Sequence, residues 1–116
     1  MLLTIEPHSE RPLFEQVAAS VRTGIASGRI RPGDRLPAAR EIAAGLGVNL
    51  HTVLHALQNL RDEGLIDLRR GRGAVVAPAA DALAELHADV NALVARAAAV
   101  GLTPDTLAAL IKEHSS

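Results

Sequence analysis

The hydrophobic residues of this chain recur every three or four positions, which is the spacing of a helix that buries one face. The first such stripe follows Pro12, a residue suited to the first turn of a helix, and ends before Gly28. Glycines or proline-containing turns separate the later stripes. The pattern predicts five helices, over residues 12–27, 38–46, 49–63, 81–100 and 103–111.

The spacing changes between the third and fourth stripes. Two short apolar runs, Leu65–Leu68 and Ala74–Ala77, flank a turn rich in Gly and Arg at residues 69–73, which predicts an antiparallel hairpin. Residues 2–6 are expected to form a short edge strand or an extended arm. Pro78 is expected to mark the boundary between two domains. We therefore expect a mainly α fold with a small β-hairpin, divided into domains 1–78 and 79–116.

Length and composition narrow the class of protein. A chain of 116 residues has room for one domain and a small appendage. The absence of cysteine excludes disulfides, thiolate metal sites and thiol nucleophiles. No stretch is apolar enough to span a bilayer, and the N-terminus lacks the pattern of a secretory signal. We expect a cytoplasmic protein with no membrane partner.

The charge is unevenly distributed. Residues 1–78 hold ten Arg against eight acidic residues, a net charge of +2, whereas residues 79–116 carry −3. Eleven of the twelve basic residues are Arg, whose guanidinium can bind phosphate or guanine in a bidentate manner. The first domain is thus the candidate for nucleic-acid binding, although composition alone favours a solvated surface with Arg as its usual cation, and only the positions of the arginines can decide otherwise.

The second and third predicted helices have the features of a helix-turn-helix. Ala43 is small where the helices cross, Gly47 can adopt the turn conformation, and Val53 packs the second of these helices on the first. Together with the following hairpin, this pattern predicts a winged helix-turn-helix. Asn49 is expected to cap the third helix by accepting from the backbone N–H of His51 or Thr52.

Several motifs in order resemble the GntR family of bacterial transcription regulators over residues 10–78. They are Pro12–Val17, Ser27–Pro37, Arg40–Ala43, Leu46–Val48, Thr52–Val53, Ala56–Leu57, Glu63–Leu65 and Gly71–Gly73. The resemblance implies a regulator that binds double-stranded operator DNA. Only 38 residues follow, which is similar to the short YtrA-type branch with its two-helix dimerisation tail.

A recognition helix over residues 49–63 and a wing over residues 69–73 are the expected DNA-binding elements. The candidate DNA-binding residues are Arg35, Arg40, Asn49, Leu50, His51, Thr52, His55, Arg70, Gly71 and Arg72. The role of Arg40 comes from the resemblance. The alternatives are a solvated helix face, an Arg40–carboxylate ion pair and an ordinary basic turn. For Arg35, a phosphate contact and a role in its own loop are equally favoured.

This chain departs from the family at two positions of the recognition helix. Many relatives carry Arg where Leu50 and Leu54 stand here, and many carry Ser at the position of Ala38. Leu50 can contact at most a thymine methyl group, and Leu54 is expected to pack at the helix flank. The operator sequence is therefore not predicted. The same two leucines favour one alternative function, a winged-helix module that binds protein and has lost operator recognition.

The tail carries an apolar stripe with the 3-4 spacing of helices that associate. We expect it to form a homodimer through Leu83, Leu86, Val90, Leu93, Ala97 and Val100, with Leu107, Leu110 and Ile111 from the last helix. The alternative is that the stripe packs on its own domain. Two copies would present two DNA-binding domains to a palindromic operator, as a repressor would require.

Enzyme and metal chemistry have little support in the sequence. His51 and His55 are one helical turn apart, but no third ligand is evident, and we find no nucleophile–base pair or phosphate loop. We expect no enzymatic activity, no cofactor and no metal. A small-molecule effector at the dimer interface and control by expression level alone both stay open.

Overall fold

The computed structural model describes residues 3–71 and 73–114, and the order of elements there is the predicted one. The helices are α1 (Leu13–Ala26), α2 (Ala39–Leu46), α3 (Leu50–Asp62), α4 (Ala80–Ala99) and α5 (Pro104–His114), and the strands are β1 (Ile66–Arg69) and β2 (Gly73–Val76). The predicted fold class, mainly helical with a small hairpin, is confirmed.

Local chemistry sets the helix ends. Pro12 occupies the N-cap position of α1, and Gly47 ends α2 with a left-handed φ of 69°. The side chain of Asn49 accepts a hydrogen bond of 2.7 Å from the backbone N–H of His51, as predicted. Thr103 caps α5, because its Oγ1 accepts from the backbone N–H of Thr106 at 3.3 Å.

The chain forms two units, residues 1–85 and 86–116, so the division falls within α4 and not at Pro78. The reason is that the start of α4 belongs to the first core: Ala80 is 1% exposed, and Leu83 packs against the same cluster. This core forms where α1, α3 and the hairpin meet. Its most completely buried side chains are Val17, Val21, Ile25, Val53, Leu60, Ile66 and Val76.

A third backbone segment pairs with the hairpin, and the sequence did not predict it. β1 and β2 pair antiparallel from Ile66 opposite Val76 to Arg69 opposite Gly73. The segment before α2 lies along the other edge of β2. There the Val76 N–H donates to the Asp34 carbonyl at 2.8 Å, and Arg35 forms a β-bridge with Val75. The backbone at Arg35 is thereby fixed beside the wing.

Residues 3–6 form an extended arm and no strand. The arm is held by Gln16 of α1, which is only 8% exposed. Its Oε1 accepts from the Glu6 N–H at 2.6 Å, and its Nε2 donates to the carbonyls of Glu6 and Arg11 at 3.1 and 2.9 Å. The amide thus satisfies three backbone groups at once.

The second unit exposes much of its apolar surface. Ala97 is buried where the chain turns, and its carbonyl accepts from the N–H groups of Val100 and Leu102. Leu107 is half-buried. The remaining stripe residues are 41–73% exposed: Leu86, Val90, Leu93, Val100, Leu110 and Ile111. In the part of the chain described, none of the helices combines the length and apolar character needed to cross a membrane.

Candidate nucleic-acid interface

The turn between α2 and α3 is built as the sequence predicted. Gly47 places its N–H within reach of the Ala43 carbonyl, and the Val48 N–H donates to that same oxygen at 3.0 Å. Ala43 is 8% exposed and Val53 is fully buried, so α2 and α3 pack closely. The angle between these helices is therefore set by buried contacts and a left-handed glycine.

The exposed face of α3 does not include every polar residue of the helix. His51, His55 and Gln58 are exposed, whereas Thr52 and Asn59 are half-buried on the flank. Asn49 is exposed at the N-terminus of the helix. Its Oδ1 is engaged by the cap, which leaves the two Nδ2 hydrogens for an acceptor outside the helix.

His55 has a neighbour that the sequence analysis missed. Its ring stacks on Phe14 of α1, with ring centroids 3.9 Å apart and planes 15° from parallel. Phe14 is the only Phe, Tyr or Trp of the chain, and it lies within the first apolar stripe. The stack restricts the orientation of the imidazole at the exposed surface. No local sequence signal links positions 14 and 55.

The arginines of the predicted site differ in their surroundings. Arg40 and Arg70 are exposed, and neither has an ion-pair partner within residues 3–71 and 73–114. The alternative in which Arg40 pairs with a carboxylate thus has no support. Arg69 lies 3.6 Å from the Asp67 carboxylate, so its charge is partly balanced. Arg72 lies outside the described residues.

The wing turns at Gly71, which has a left-handed φ of 81° and is exposed. Two neighbouring clefts connect this wing with the helices. One, of about 400 Å³, is lined by Leu54 of α3, by Pro37 and by Leu68, Arg69 and Arg70 of the hairpin. The other, of about 560 Å³, lies between Gly71 and the segment that contains Arg35 and Glu41.

Leu54 and Leu57 of α3, the start of α2 and the wing thus line adjoining clefts of the first unit. Leu54 is 38% exposed and lines the first of these clefts together with Leu57 and Leu68, on the wing-side flank of α3. The part of the chain described contains no cluster of three or more His, Cys, Asp or Glu suited to a metal ion, so His51 and His55 have no third ligand there.

A helix-turn-helix followed by a two-stranded wing, with exposed Arg40 on α2 and exposed Arg70 on the wing, defines a winged helix-turn-helix DNA-binding protein. The model of the bacterial regulatory proteins of the gntR family matches residues 13–76. The chain belongs to this family. It is a DNA-binding transcription regulator and not an enzyme.

Individual relatives agree with this assignment. The HTH-type transcriptional repressor YtrA of Bacillus subtilis is 36% identical over 75 residues, which are 65% of this chain and 58% of that protein. YtrA from Sulfolobus acidocaldarius, a GntR-family transcription factor, is 35% identical with a TM-score of 0.62 over 79% of this chain and 99% of its own. AraR(DBD) in complex with operator ORX1 is 32% identical with a TM-score of 0.58, over 66% and 95%.

Proposed function

We propose that this protein is a repressor that binds a palindromic operator as a homodimer in the bacterial cytoplasm. The recognition helix of residues 49–63 enters the major groove, and the wing of residues 69–73 contacts the adjacent minor groove. The observation that carries the proposal is that the wing-side flank of α3, the start of α2 and the wing border two adjoining clefts.

Each candidate residue has a chemical role in this proposal. Asn49, His51, Thr52 and His55 are on the first two turns of α3, where amide, hydroxyl and imidazole groups can exchange hydrogen bonds with base edges. Leu50 lies beside them and offers only apolar contact. Arg40 contacts operator DNA next to the recognition helix.

The wing supplies sequence-independent contacts. Arg70 and Arg72 flank Gly71, and arginine is drawn to the negative potential of a narrow minor groove. Gly71 lets the turn approach the sugar–phosphate backbone. Arg35 lies beside the wing through its backbone bridge to Val75, a position suited to a phosphate contact.

The homodimer is supported by the apolar surface of the second unit. Leu86, Val90 and Leu93 continue the 3-4 spacing along α4, and all three are more than 40% exposed. Monomeric soluble proteins rarely leave a contiguous stripe of large aliphatic side chains in water. A second copy offers the same stripe across a two-fold axis, with Leu83 and Ala97 buried within each chain.

A role as a repressor is favoured by one of the relatives. The Bacillus subtilis relative YtrA carries the name of a repressor, and a dimer bound at a promoter would block access to it. The operator is therefore expected upstream of the protein's own gene or its neighbours, as an inverted repeat with half-sites about one DNA turn apart.

A fluorescence-anisotropy titration with that upstream DNA tests the DNA contacts. Arg40→Ala and Arg70→Ala should each weaken binding, and each lost phosphate contact should lower the salt slope by about 0.9 per subunit. Arg96→Ala is the matched control, because Arg96 is an exposed arginine in the second unit. Binding that is independent of salt and sequence, or loss of affinity equal to that of the control, would refute the proposal.

Sedimentation equilibrium tests the dimer. Leu93→Glu places a charge on the exposed stripe and should shift the protein to monomers. Ala95→Glu introduces the same charge on the opposite side of α4, at another exposed position, and should leave the dimer intact. The alternative function, a protein-binding module, requires a dimer that binds no operator even with Arg40 and Arg70 in place.

A further inference from the structure

The wing-side edge of α3 is apolar where the rest of its exposed face is polar. Leu50 and Leu54 lie one helical turn apart on this edge, in the first two turns of the recognition helix. Leu50 is half-buried and Leu54 is 38% exposed. Leu68, 41% exposed on β1, lies across the cleft of about 400 Å³ that Leu54 helps to line.

Arginines of the wing lie beside this apolar strip. Arg69 and Arg70 line the same cleft, and Arg40 is exposed on the neighbouring α2. Asp67 balances part of the charge of Arg69, and Arg70 leaves this side of the cleft with a net positive charge, which attracts a polyanion and repels another basic protein surface. Charge complementarity makes duplex DNA the occupant that best fits this cleft.

The chemistry of the major groove limits what Leu54 can contact. Guanine presents two acceptors there and cytosine a donor, and an aliphatic side chain pressed against them would remove water without replacing its hydrogen bonds. The C5 methyl group of thymine is the apolar feature of the base edges. Contact between that methyl group and Leu54 covers apolar surface on both partners.

We propose that Leu54 is a specificity-determining residue that selects a pyrimidine C5 methyl group, that of thymine, once in each half-site. This inference rests on the proposed function, because it requires that α3 enter the major groove. Leu50, one helical turn earlier, would lie next to the same methyl group. The proposal explains why an exposed leucine is compatible with a surface that binds DNA.

The test removes the methyl group and changes nothing else in the DNA. Duplexes bound by the full-length protein are selected from a random-sequence pool, and each thymine of the selected half-site is then replaced by deoxyuridine. One replacement should weaken binding about fourfold per half-site, the affinity equivalent of one buried methyl group of about 0.8 kcal/mol. Replacing that thymine by 5-methylcytosine, paired with guanine, should retain more affinity than cytosine does.

Variants identify the side chain responsible. In Leu54→Ala the thymine and deoxyuridine duplexes should bind equally, whereas Leu13→Ala should keep the fourfold difference. Leu13 is a matched control, because it is a helical leucine of nearly equal exposure, 37%. Leu54→Arg should lose the methyl dependence and favour guanine at the same position, since arginine pairs with the two acceptors of guanine.

The outcomes separate this inference from the proposed function. The role of Leu54 is overturned if binding is selective and salt-dependent but shows no methyl effect, or if the methyl effect persists in Leu54→Ala. Either result leaves the proposed function as a DNA-binding repressor standing. Failure to select any duplex overturns both. Because Leu54 and Leu13 are exposed to nearly the same extent, Leu54→Ala and Leu13→Ala should lower the urea midpoint by similar small amounts, which checks that the altered specificity of Leu54→Ala is not a folding defect.

Discussion

Gly45 and Gly47 lie two residues apart at the end of α2, and substitution by alanine should have opposite effects at the two positions. Both have open space where a Cβ would stand, with nothing within 4 Å of either. Steric contact therefore contributes to neither change. The difference lies in the backbone, because Gly47 has a left-handed φ of 69° and Gly45 is an ordinary helical residue.

The magnitudes follow from these backbone states. Alanine in a helix is favoured over glycine, so Gly45→Ala should stabilise the fold by about 0.5–1 kcal/mol. A left-handed alanine costs about 1–2 kcal/mol, so Gly47→Ala should destabilise it by that amount. At a urea m-value of about 1–2 kcal/mol/M, a change of 1 kcal/mol moves the unfolding midpoint by about 0.5–1 M.

Urea unfolding followed by circular dichroism measures both changes on the same protein background. The reasoning would be refuted if Gly47→Ala raised the midpoint as Gly45→Ala does, because the turn between α2 and α3 would then not need a left-handed residue. An unchanged m-value confirms that the midpoint reports stability. Gly47→Ala should also weaken operator binding, since this turn sets the angle of α3.

Three further changes test contacts around the interface. Phe14→Leu removes the stack on His55 and should cost about 0.5–1.5 kcal/mol in urea unfolding and weaken operator binding; unchanged values in both would contradict a positioning role. Gln16→Met should cost about 1–3 kcal/mol and remove hydrogen-exchange protection from the Glu6 amide, and retained protection would show that the arm is held otherwise. Asn49→Ala should lose about 1 kcal/mol, whereas Asn49→Asp keeps the cap, and equal thermal stability of the two would exclude capping as the cause.

The sequence predicted those parts of the fold that depend on neighbours along the chain. Helical periodicity located the five helices, and the cap at Asn49 and the left-handed Gly47 followed from the preferences of single residues. The strands were displaced by one residue, because the apolar run from Leu65 to Leu68 does not show where the ladder begins. The recognition helix and wing were therefore predictable as elements.

Contacts between distant positions were not predictable. Arg22 forms a bidentate ion pair with Glu63, at 2.8 and 2.7 Å, across 41 positions of sequence, and it ties α1 to the end of α3. Leu83 joins the first core although its spacing places it in the stripe of α4. Periodicity identifies which face of a helix is apolar, but it does not identify the surface that covers that face.

The need for two copies follows from how little of α3 is free to contact bases. Phe14 stacks on His55 on one side of α3 and Leu54 borders the wing-side cleft on the other, so only a few side chains around His51 offer polar groups to base edges. A good bidentate base contact contributes about 1–3 kcal/mol, whereas a dissociation constant of about 10⁻⁸ M requires about 11 kcal/mol. One domain would also bear the full entropic cost of association.

In a dimer the contact energies of the two DNA-binding domains add, whereas much of the translational and rotational entropy of association is lost only once. The monomeric variant Leu93→Glu should therefore lose more operator affinity than His51→Ala, although residue 93 contacts no DNA in the proposal. Anisotropy titrations at equal salt compare the two, with Ala95→Glu as the control. If Leu93→Glu were monomeric and bound the operator as tightly as the parent, a single recognition helix would be sufficient and the argument for a dimeric regulator would fail.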